Sequence, residues 1–142
     1  MSEANKAIVR RYFEEVWNKR DQAVIDEIAA SGYVDHDPCN PGIRGPAGLR
    51  LLAEKYQSAF PDLHFTIEDQ IAEGDRVATR VTWRGTHKGT LEGIAPTGKA
   101  VSGTALLISR ISGEKLQEDW VNWDALGLMQ QLGVVPAARA AS

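Results

Sequence analysis

Two short stretches of the sequence combine residues that could transfer protons. The stretch KLQEDWVNWD, residues 115–124, holds Glu118, Asp119 and Asp124 beside two tryptophans. The stretch VDHDP places a histidine, His36, between two aspartates. A carboxyl group in apolar surroundings, or a histidine held by a carboxylate, is a typical general acid or base. The function therefore depends on which of these side chains point into an apolar site.

His36 is a candidate because either neighbouring aspartate could orient its ring and stabilise the imidazolium. The alternative is an Asx-type turn before Pro38, with the histidine on the rim of a cavity. Three consecutive polar residues cannot all point at one ion without a special turn, and no Cys/His motif has zinc-ligand spacing. We predict no metal site.

The composition indicates one globular domain spanning residues 1–142, with 43% hydrophobic and 25% charged residues. A net charge of −3 gives no basic surface for nucleic acid. The single cysteine, Cys39, excludes an intrachain disulfide. Because the start resembles no secretory signal and no long apolar run occurs, we expect a soluble, cytoplasmic protein without membrane contact. The tail 136–142 is expected to be disordered.

The first segment predicts an amphipathic helix. Ile8, Tyr12 and Val16 recur four residues apart, and Phe13 and Trp17 lie beside them. All of these side chains fall on one apolar stripe. We therefore expect this helix to pack against the rest of the fold.

Two more helices are predicted, one after Asp21 and one between Pro46 and Pro61. Between them, GYVDHDPCNPGIRGP has three prolines and three glycines in fifteen residues and predicts a loop. From Leu63 onward the apolar period becomes two, which predicts four antiparallel strands and a short last helix near Leu126. Helices segregated from an antiparallel sheet define an α+β fold, and a twisted sheet curled around helices can leave a pocket.

Several segments together resemble a known family. They are YVDHDP, GPAGLRLLAEKYQSAFPDL, AEGDRVATRVTWRGTHKG, GIAPTGK and the WD…GLMQQLG ending. They are similar to the SnoaL-like polyketide cyclase branch of the cone-shaped, nuclear-transport-factor-2-like superfamily, from about residue 5 to about residue 135. The resemblance implies a curved antiparallel sheet wrapped around N-terminal helices, and a homodimer formed through the outer sheet face.

The resemblance also implies a chemistry. Cyclases of this family close an aromatic polyketide by an intramolecular aldol reaction, using a carboxylate on the last strand and no metal or organic cofactor. We therefore expect a cofactor-independent enzyme, a cyclase or isomerase, that acts on a small, largely apolar carbonyl compound. A non-catalytic ligand-binding or accessory domain, and a hydrolase or hydroxylase, are the alternatives, since one scaffold carries many functions.

The position of the cyclase carboxylate departs from the family pattern. A match of the QLG ending without gaps places that aspartate at Val121, which cannot transfer a proton. The same match puts Ala105 and Leu107 where those cyclases carry polar side chains. Either another acid has taken over, or the chemistry differs, or the domain is not catalytic.

Asp119 is the best-placed substitute. If Val121 faces the cavity, strand alternation turns Asp119 and Trp123 inward and turns Glu118 and Trp120 outward. A one-residue bulge would reverse this assignment. The non-catalytic alternative for Asp119 is a solvated carboxylate near the strand start, paired with Lys115 or Arg110.

The predicted site combines two proton-transfer residues with a wall of large apolar side chains. Asp119 and His36 are the predicted catalytic residues, and Asp124 is predicted to cap the last helix. Large apolar side chains are predicted to bind the substrate, with simple core packing as the alternative. The predicted substrate-binding residues are Tyr12, Phe13, Trp17, Tyr56, Phe60, Trp83, Val121 and Trp123.

Overall fold

The computed structural model describes residues 2–136 of the chain. The helices are α1 (Ser2–Arg11), which continues as a π-helical segment (Tyr12–Asn18), α2 (Ala23–Ile28), α3 (Gly45–Ala59) and α4 (Ala125–Gln131). The strands are β1 (Ala29–His36), β2 (His64–Glu73), β3 (Arg76–Thr86), β4 (Ala100–Ser112) and β5 (Lys115–Trp123). The disorder predicted for 136–142 falls, apart from Pro136, outside the described residues.

The strands form one five-stranded sheet in the order β1-β5-β4-β3-β2. The neighbours from β2 to β5 pair antiparallel, as predicted from the alternating pattern. The edge strand β1 runs parallel to β5, with Asp35 level with Asp119 and His36 level with Trp120. The sheet is therefore mixed, and the prediction of a wholly antiparallel sheet of four strands is wrong.

Strand β1 occupies part of the stretch that was predicted to be a loop. Its sequence, AASGYVDH, has no apolar alternation, because inward positions are taken by Tyr33 and Asp35 rather than by aliphatic residues. Pro38 and Pro41 come after the strand, where the chain turns towards α3, and Pro46 lies in the first turn of α3. The strand could not be predicted from local sequence, because the partners that form hydrogen bonds with its polar residues lie far away in the sequence.

The helices cover one face of this curved sheet and bury its inner side chains, which confirms the predicted α+β cone. Strand β3 alternates buried and exposed positions, with Val77 and Val81 fully buried. Strand β4 does the same with Leu107 and Ile111. Residues that share a face of a strand lie two apart, so these apolar side chains meet α1 and the π-helical segment in one core.

The π-helical segment changes which side chains share a face. The amide N–H of Lys19 donates to the carbonyl oxygen of Glu14, five residues earlier, at 3.1 Å. In an α-helix, residues five apart point about 140° away from each other. The wider π turn reduces that angle, and Tyr12 and Trp17 are both buried, with ring centroids 6.3 Å apart. π-helical turns of this kind occur frequently at functional sites.

The outer face of the sheet carries an apolar patch. Leu106 and Ile108 of β4 are 52% and 41% exposed, and Ile108 is level with Trp120 of β5. We predict that this face pairs two copies of the chain, because burying such side chains stabilises an interface. Light scattering is expected to give twice the 15.5 kDa of one chain, and Ile108→Asp is expected to give the monomer.

Leu51→Asp serves as the matched control for the dimer. Leu51 is 65% exposed but lies on helix α3 and not on a strand of the sheet. The mass of this variant should equal that of the unchanged protein. A monomer at high concentration for the unchanged chain, or a dimer that survives Ile108→Asp, would contradict the predicted interface.

Candidate functional site

A cavity lies between the inner face of the sheet and the helices. It offers about 90 Å³ to the centres of water-sized molecules, several times the roughly 10–15 Å³ that one water requires. Its lining is mainly apolar and aromatic and draws on the π-helical segment, α3 and strands β1 to β5. The lining includes Tyr12, Phe13, Trp17, Tyr56, Phe60, Trp83, Val121 and Trp123, the residues predicted to bind substrate.

Asp35 is the carboxyl group best placed for proton transfer in this cavity. It lines the wall and is 6% exposed. Its Oδ1 atom has no hydrogen-bond partner among the described residues. Burial, together with the charges of Asp119 and Asp37, raises the pKa of Asp35 to about 8. At neutral pH Asp35 therefore holds a proton in apolar surroundings and can release it.

Asp119 lies behind Asp35 and is fully satisfied by the protein. It is 1% exposed, and its Oδ2 accepts a hydrogen bond from the Tyr33 hydroxyl at 2.6 Å. Its Oδ1 accepts a hydrogen bond from the Ser109 hydroxyl. Asp119 is not among the described residues that line the cavity. It faces inward as predicted, and the interpretation as a solvated carboxylate is wrong.

The surroundings assign different roles to the two acids. Burial raises the pKa of Asp119 above its ordinary value, although the hydrogen bonds from Ser109 and Tyr33 oppose that rise. Asp35 receives no such bond at its Oδ1 atom, so its anion is less well stabilised. Two neighbouring carboxylates resist being charged together. Asp119 is therefore the acid of the pair that ionises first, and Asp35 retains the proton.

A second polar group lies on the cavity wall, in the loop that follows β1. The side-chain amide of Asn40 donates to Asp37 Oδ2 at 2.8 Å and to the Tyr56 hydroxyl at 3.0 Å. Asn40 Oδ1 accepts from Lys55 Nζ at 2.8 Å. Asp37 Oδ1 accepts from the amide of Cys39 at 2.9 Å, which forms the Asx turn foreseen around Pro38. This group orders the loop and gives the cavity a second polar region.

His36 lies on the other side of the sheet. Its ring stacks on Trp120, with centroids 5.3 Å apart, and Nε2 is 2.7 Å from Glu118 Oε2. The Arg110 guanidinium also donates to Glu118, at 3.0 Å. His36 is not among the described residues that line the cavity. Strand alternation explains this placement, because His36 lies between the inward-facing Asp35 and Asp37.

The last strand has the predicted orientation. Val121 and Trp123 line the cavity, whereas Glu118 and Trp120 face outward. Where β5 pairs with β4, the register shifts before Glu118, so the alternation from there to Trp123 is regular. Asp124 caps α4 by accepting a hydrogen bond from the amide of Gly127 at 2.8 Å, as predicted.

Asp35 is the site residue that the sequence prediction missed. The motif YVDHDP was interpreted as a loop, and Asp35 was considered only as a partner for His36. The signal was present in the alternation of Tyr33, Asp35 and Asp37, which share one face if this stretch is a strand. That signal is weak because a polar residue at an inward position usually argues against a buried strand.

Two further features concern metal binding and membrane crossing in the described part of the chain. Among residues 2–136, no group of three or more His, Cys, Asp or Glu side chains is arranged to hold a metal ion. No helix in the part of the chain that the structure describes is long and apolar enough to cross a membrane.

The fold and cavity define a class, the cone-shaped α+β proteins of the nuclear-transport-factor-2 type. Within that class, the family model of the SnoaL-like polyketide cyclases matches residues 7–132. The chain belongs to this family.

Relatives and solved structures agree with this assignment. The chain is 31% identical over 110 residues to the aklanonic acid methyl ester cyclase DnrD of Streptomyces peucetius, covering 75% of this chain and 72% of DnrD. It is 30% identical to a proposed polyketide cyclase of Acidithiobacillus ferrooxidans, with a TM-score of 0.83 and coverage of 92% and 95%. It is 28% identical to AclR, a proposed hydroxylase of Streptomyces galilaeus, with a TM-score of 0.82 and coverage of 98% and 87%.

The raised pKa of Asp35 predicts how stability varies with pH. A carboxyl group whose pKa is higher in the folded state stabilises the fold fully below its unfolded pKa of about 4. That contribution is lost as the pH rises towards about 8. Asp35→Asn cannot ionise, so its free energy of unfolding relative to the wild type should rise across this window, by up to about 1.4 kcal/mol per pH unit. Urea unfolding at several pH values measures the difference.

Asp62→Asn is the matched control. Asp62 accepts hydrogen bonds from the Thr86 amide and hydroxyl, which lower its pKa. Its contribution to stability is lost only below the ordinary carboxyl range, so the difference from wild type should be flat between pH 5 and 8. A flat difference for Asp35→Asn over the same range would refute the protonated state assigned to Asp35.

Proposed function

We propose that this protein closes a carbon–carbon bond within a small, largely apolar carbonyl compound of the polyketide type, as a cyclase that needs no cofactor. The observation that carries the proposal is Asp35, a nearly buried carboxyl group on the wall of a mainly apolar cavity. Membership of the SnoaL-like polyketide cyclase family supports the same type of reaction.

The proposed reaction uses one carboxyl group twice. In its ionised form, Asp35 takes a proton from a carbon next to a carbonyl group, and the electron pair of the C–H bond forms an enolate. The enolate carbon then attacks a second carbonyl carbon of the same molecule. Asp35 returns the proton to the oxygen of that carbonyl. Substrate and product contain the same atoms, so the cycle requires no oxidant, reductant or second substrate.

The environment of Asp35 suits both steps. An ordinary carboxylate is a weak base towards a carbon acid, and a pKa of about 8 makes Asp35 a much stronger one. The aromatic side chains of Phe13, Phe60 and Trp83 on the cavity wall favour a planar apolar ligand. The same walls exclude water that would compete for the proton.

Asp119 enters the mechanism through Asp35. Because it does not line the cavity, we assign it the role of a positioning residue whose charge raises the pKa of Asp35. The sequence-based expectation that Asp119 exchanges protons with substrate is replaced by this indirect role. His36 is left out of the mechanism, since it lies on the outer face of the sheet with Glu118.

A non-catalytic binding domain is the competing proposal. Val121, Ala105 and Leu107 favour it, because they line the cavity with apolar groups that cannot donate or accept a proton. A hydroxylase would require a carboxylate placed on dioxygen or on an activated intermediate, and only the likeness to AclR favours it. The kinetic role of Asp35 distinguishes the cyclase from both alternatives.

The substitution Asp35→Asn tests the cyclase. Aklanonic acid methyl ester, the compound named for DnrD, is the first assay substrate. Removing a general acid–base group typically lowers kcat by about 10²–10⁴, and we expect a loss of this size with little change in KM. For the wild type, kcat/KM should rise with pH up to about 8, where Asp35 ionises. Unchanged kcat in Asp35→Asn, with the fold intact, would favour the binding domain.

The substitution Asp119→Asn tests the indirect role. Without the neighbouring charge, the pKa of Asp35 should fall, so the inflection in kcat/KM should move to lower pH. Glu118→Gln is the control, because Glu118 precedes Asp119 but faces outward. The inflection for Glu118→Gln should coincide with that of the wild type. An inflection that stays in place in Asp119→Asn would separate Asp119 from the chemistry.

A further inference from the structure

One polar group of the cavity wall is unused by the mechanism above. The indole Nε1 of Trp17 is buried and has no acceptor among the described residues, while the side chain itself is 5% exposed and lines the cavity. Leaving a buried donor unpaired costs about 1–3 kcal/mol. A molecule in the cavity that offers an acceptor would remove this cost.

The Tyr12 hydroxyl lies next to this indole. The two rings meet edge to face, at 6.3 Å between centroids and 89° between planes, and both line the cavity. Burial and the nearby charges of Asp35 and Asp119 raise the pKa of Tyr12 well above its usual value, while the Trp17 indole lowers it. The Tyr12 hydroxyl therefore stays protonated at neutral pH, and the indole N–H lies beside it.

The other hydroxyl and amide donors near the cavity are already engaged. The Tyr33 hydroxyl donates to Asp119, at 2.6 Å. The Asn40 amide donates to Asp37 and to the Tyr56 hydroxyl. Tyr12 and Trp17 come from one π-helical segment that is fixed by its own backbone, so their positions do not depend on a mobile loop.

We propose that Tyr12 and Trp17 form a two-donor site that binds a carbonyl oxygen of the ligand. This inference rests on the proposed function and names the chemical group that the cavity recognises. When Asp35 removes the neighbouring proton, the electron pair of the C–H bond forms the C=C bond of the enolate, and the π pair of the carbonyl group moves to that oxygen. Donors already aimed at the oxygen stabilise the developing charge, and such donors contribute strongly in a site from which water is excluded.

The test uses a pair of ligands that differ in one oxygen. 1-Tetralone carries a carbonyl group, and tetralin is the hydrocarbon of nearly the same shape. Trp17→Phe and Tyr12→Phe should each weaken 1-tetralone binding by about tenfold, the value for one hydrogen bond of about 1.4 kcal/mol. Tetralin binding should change by less than about twofold. Competition against a fluorescent apolar dye measures both affinities without turnover.

The infrared stretch of the bound carbonyl group gives a second readout. Hydrogen bonds to the oxygen lower the C=O stretching frequency, so 1-tetralone bound to the wild type should absorb below its frequency in an alkane. Each variant should shift that band back towards the alkane value. Trp83→Phe is the matched control, since it makes the same chemical change at another tryptophan of the cavity and should leave the band in place.

Each other result overturns the two-donor site. Equal losses for 1-tetralone and tetralin would mean that Trp17 and Tyr12 only fill space. A wild-type band at the alkane frequency would mean that no donor reaches the carbonyl oxygen. Failure of both ligands to bind would mean that the cavity does not take up an aromatic ketone, which also overturns the site. Neither readout uses turnover, so a failure of the Asp35 kinetics would leave this result standing, and the reverse also holds.

Discussion

The parallel pairing of β1 with β5 is the constraint on which the site depends. It places Asp35 level with Asp119 and directs both side chains to the inner face. Tyr33 of β1 and Ser109 of β4 then hold Asp119 from either side through hydrogen bonds. A loop at β1 would leave Asp35 in water with an ordinary pKa. The edge strand therefore gives Asp35 the burial and the neighbouring charge that raise its pKa.

The two acids differ because their partners differ. Asp119 is deeply buried, and such a carboxylate is tolerated only when donors compensate it, which Tyr33 and Ser109 do. Asp35 meets the cavity with its Oδ1 unpaired, and it also experiences the charge of Asp119. The hydrogen bonds that stabilise one anion thus destabilise the neighbouring one. A buried structural network and a reactive group are parts of the same arrangement.

Much of this fold could be predicted from the sequence. Helical and strand periods located α3 and the hairpin strands, because those patterns depend on local apolar spacing. The same spacing identified the aromatic side chains of the cavity wall. The inward direction of Asp119 followed from strand alternation together with the family resemblance that placed Val121 at the cavity. Strand β1 and Asp35 could not be found in this way, because a parallel edge strand gains its stability from a partner more than eighty residues away. His36 was favoured because its residue type suggests chemistry, whereas its position follows from the strand that was missed.

The raised pKa of Asp35 gives a physical explanation for the apolar side chain at position 121. An aspartate at position 121 would line the same cavity as Asp35, with Asp119 charged behind it. A further charge there would either raise the pKa of Asp35 beyond the useful range or keep a third carboxyl group protonated. An apolar side chain at 121 instead helps to desolvate Asp35, and burial is the largest cause of its raised pKa. An apolar residue at position 121 of β5 is therefore compatible with the proposed proton-transfer role of Asp35 on the neighbouring strand β1.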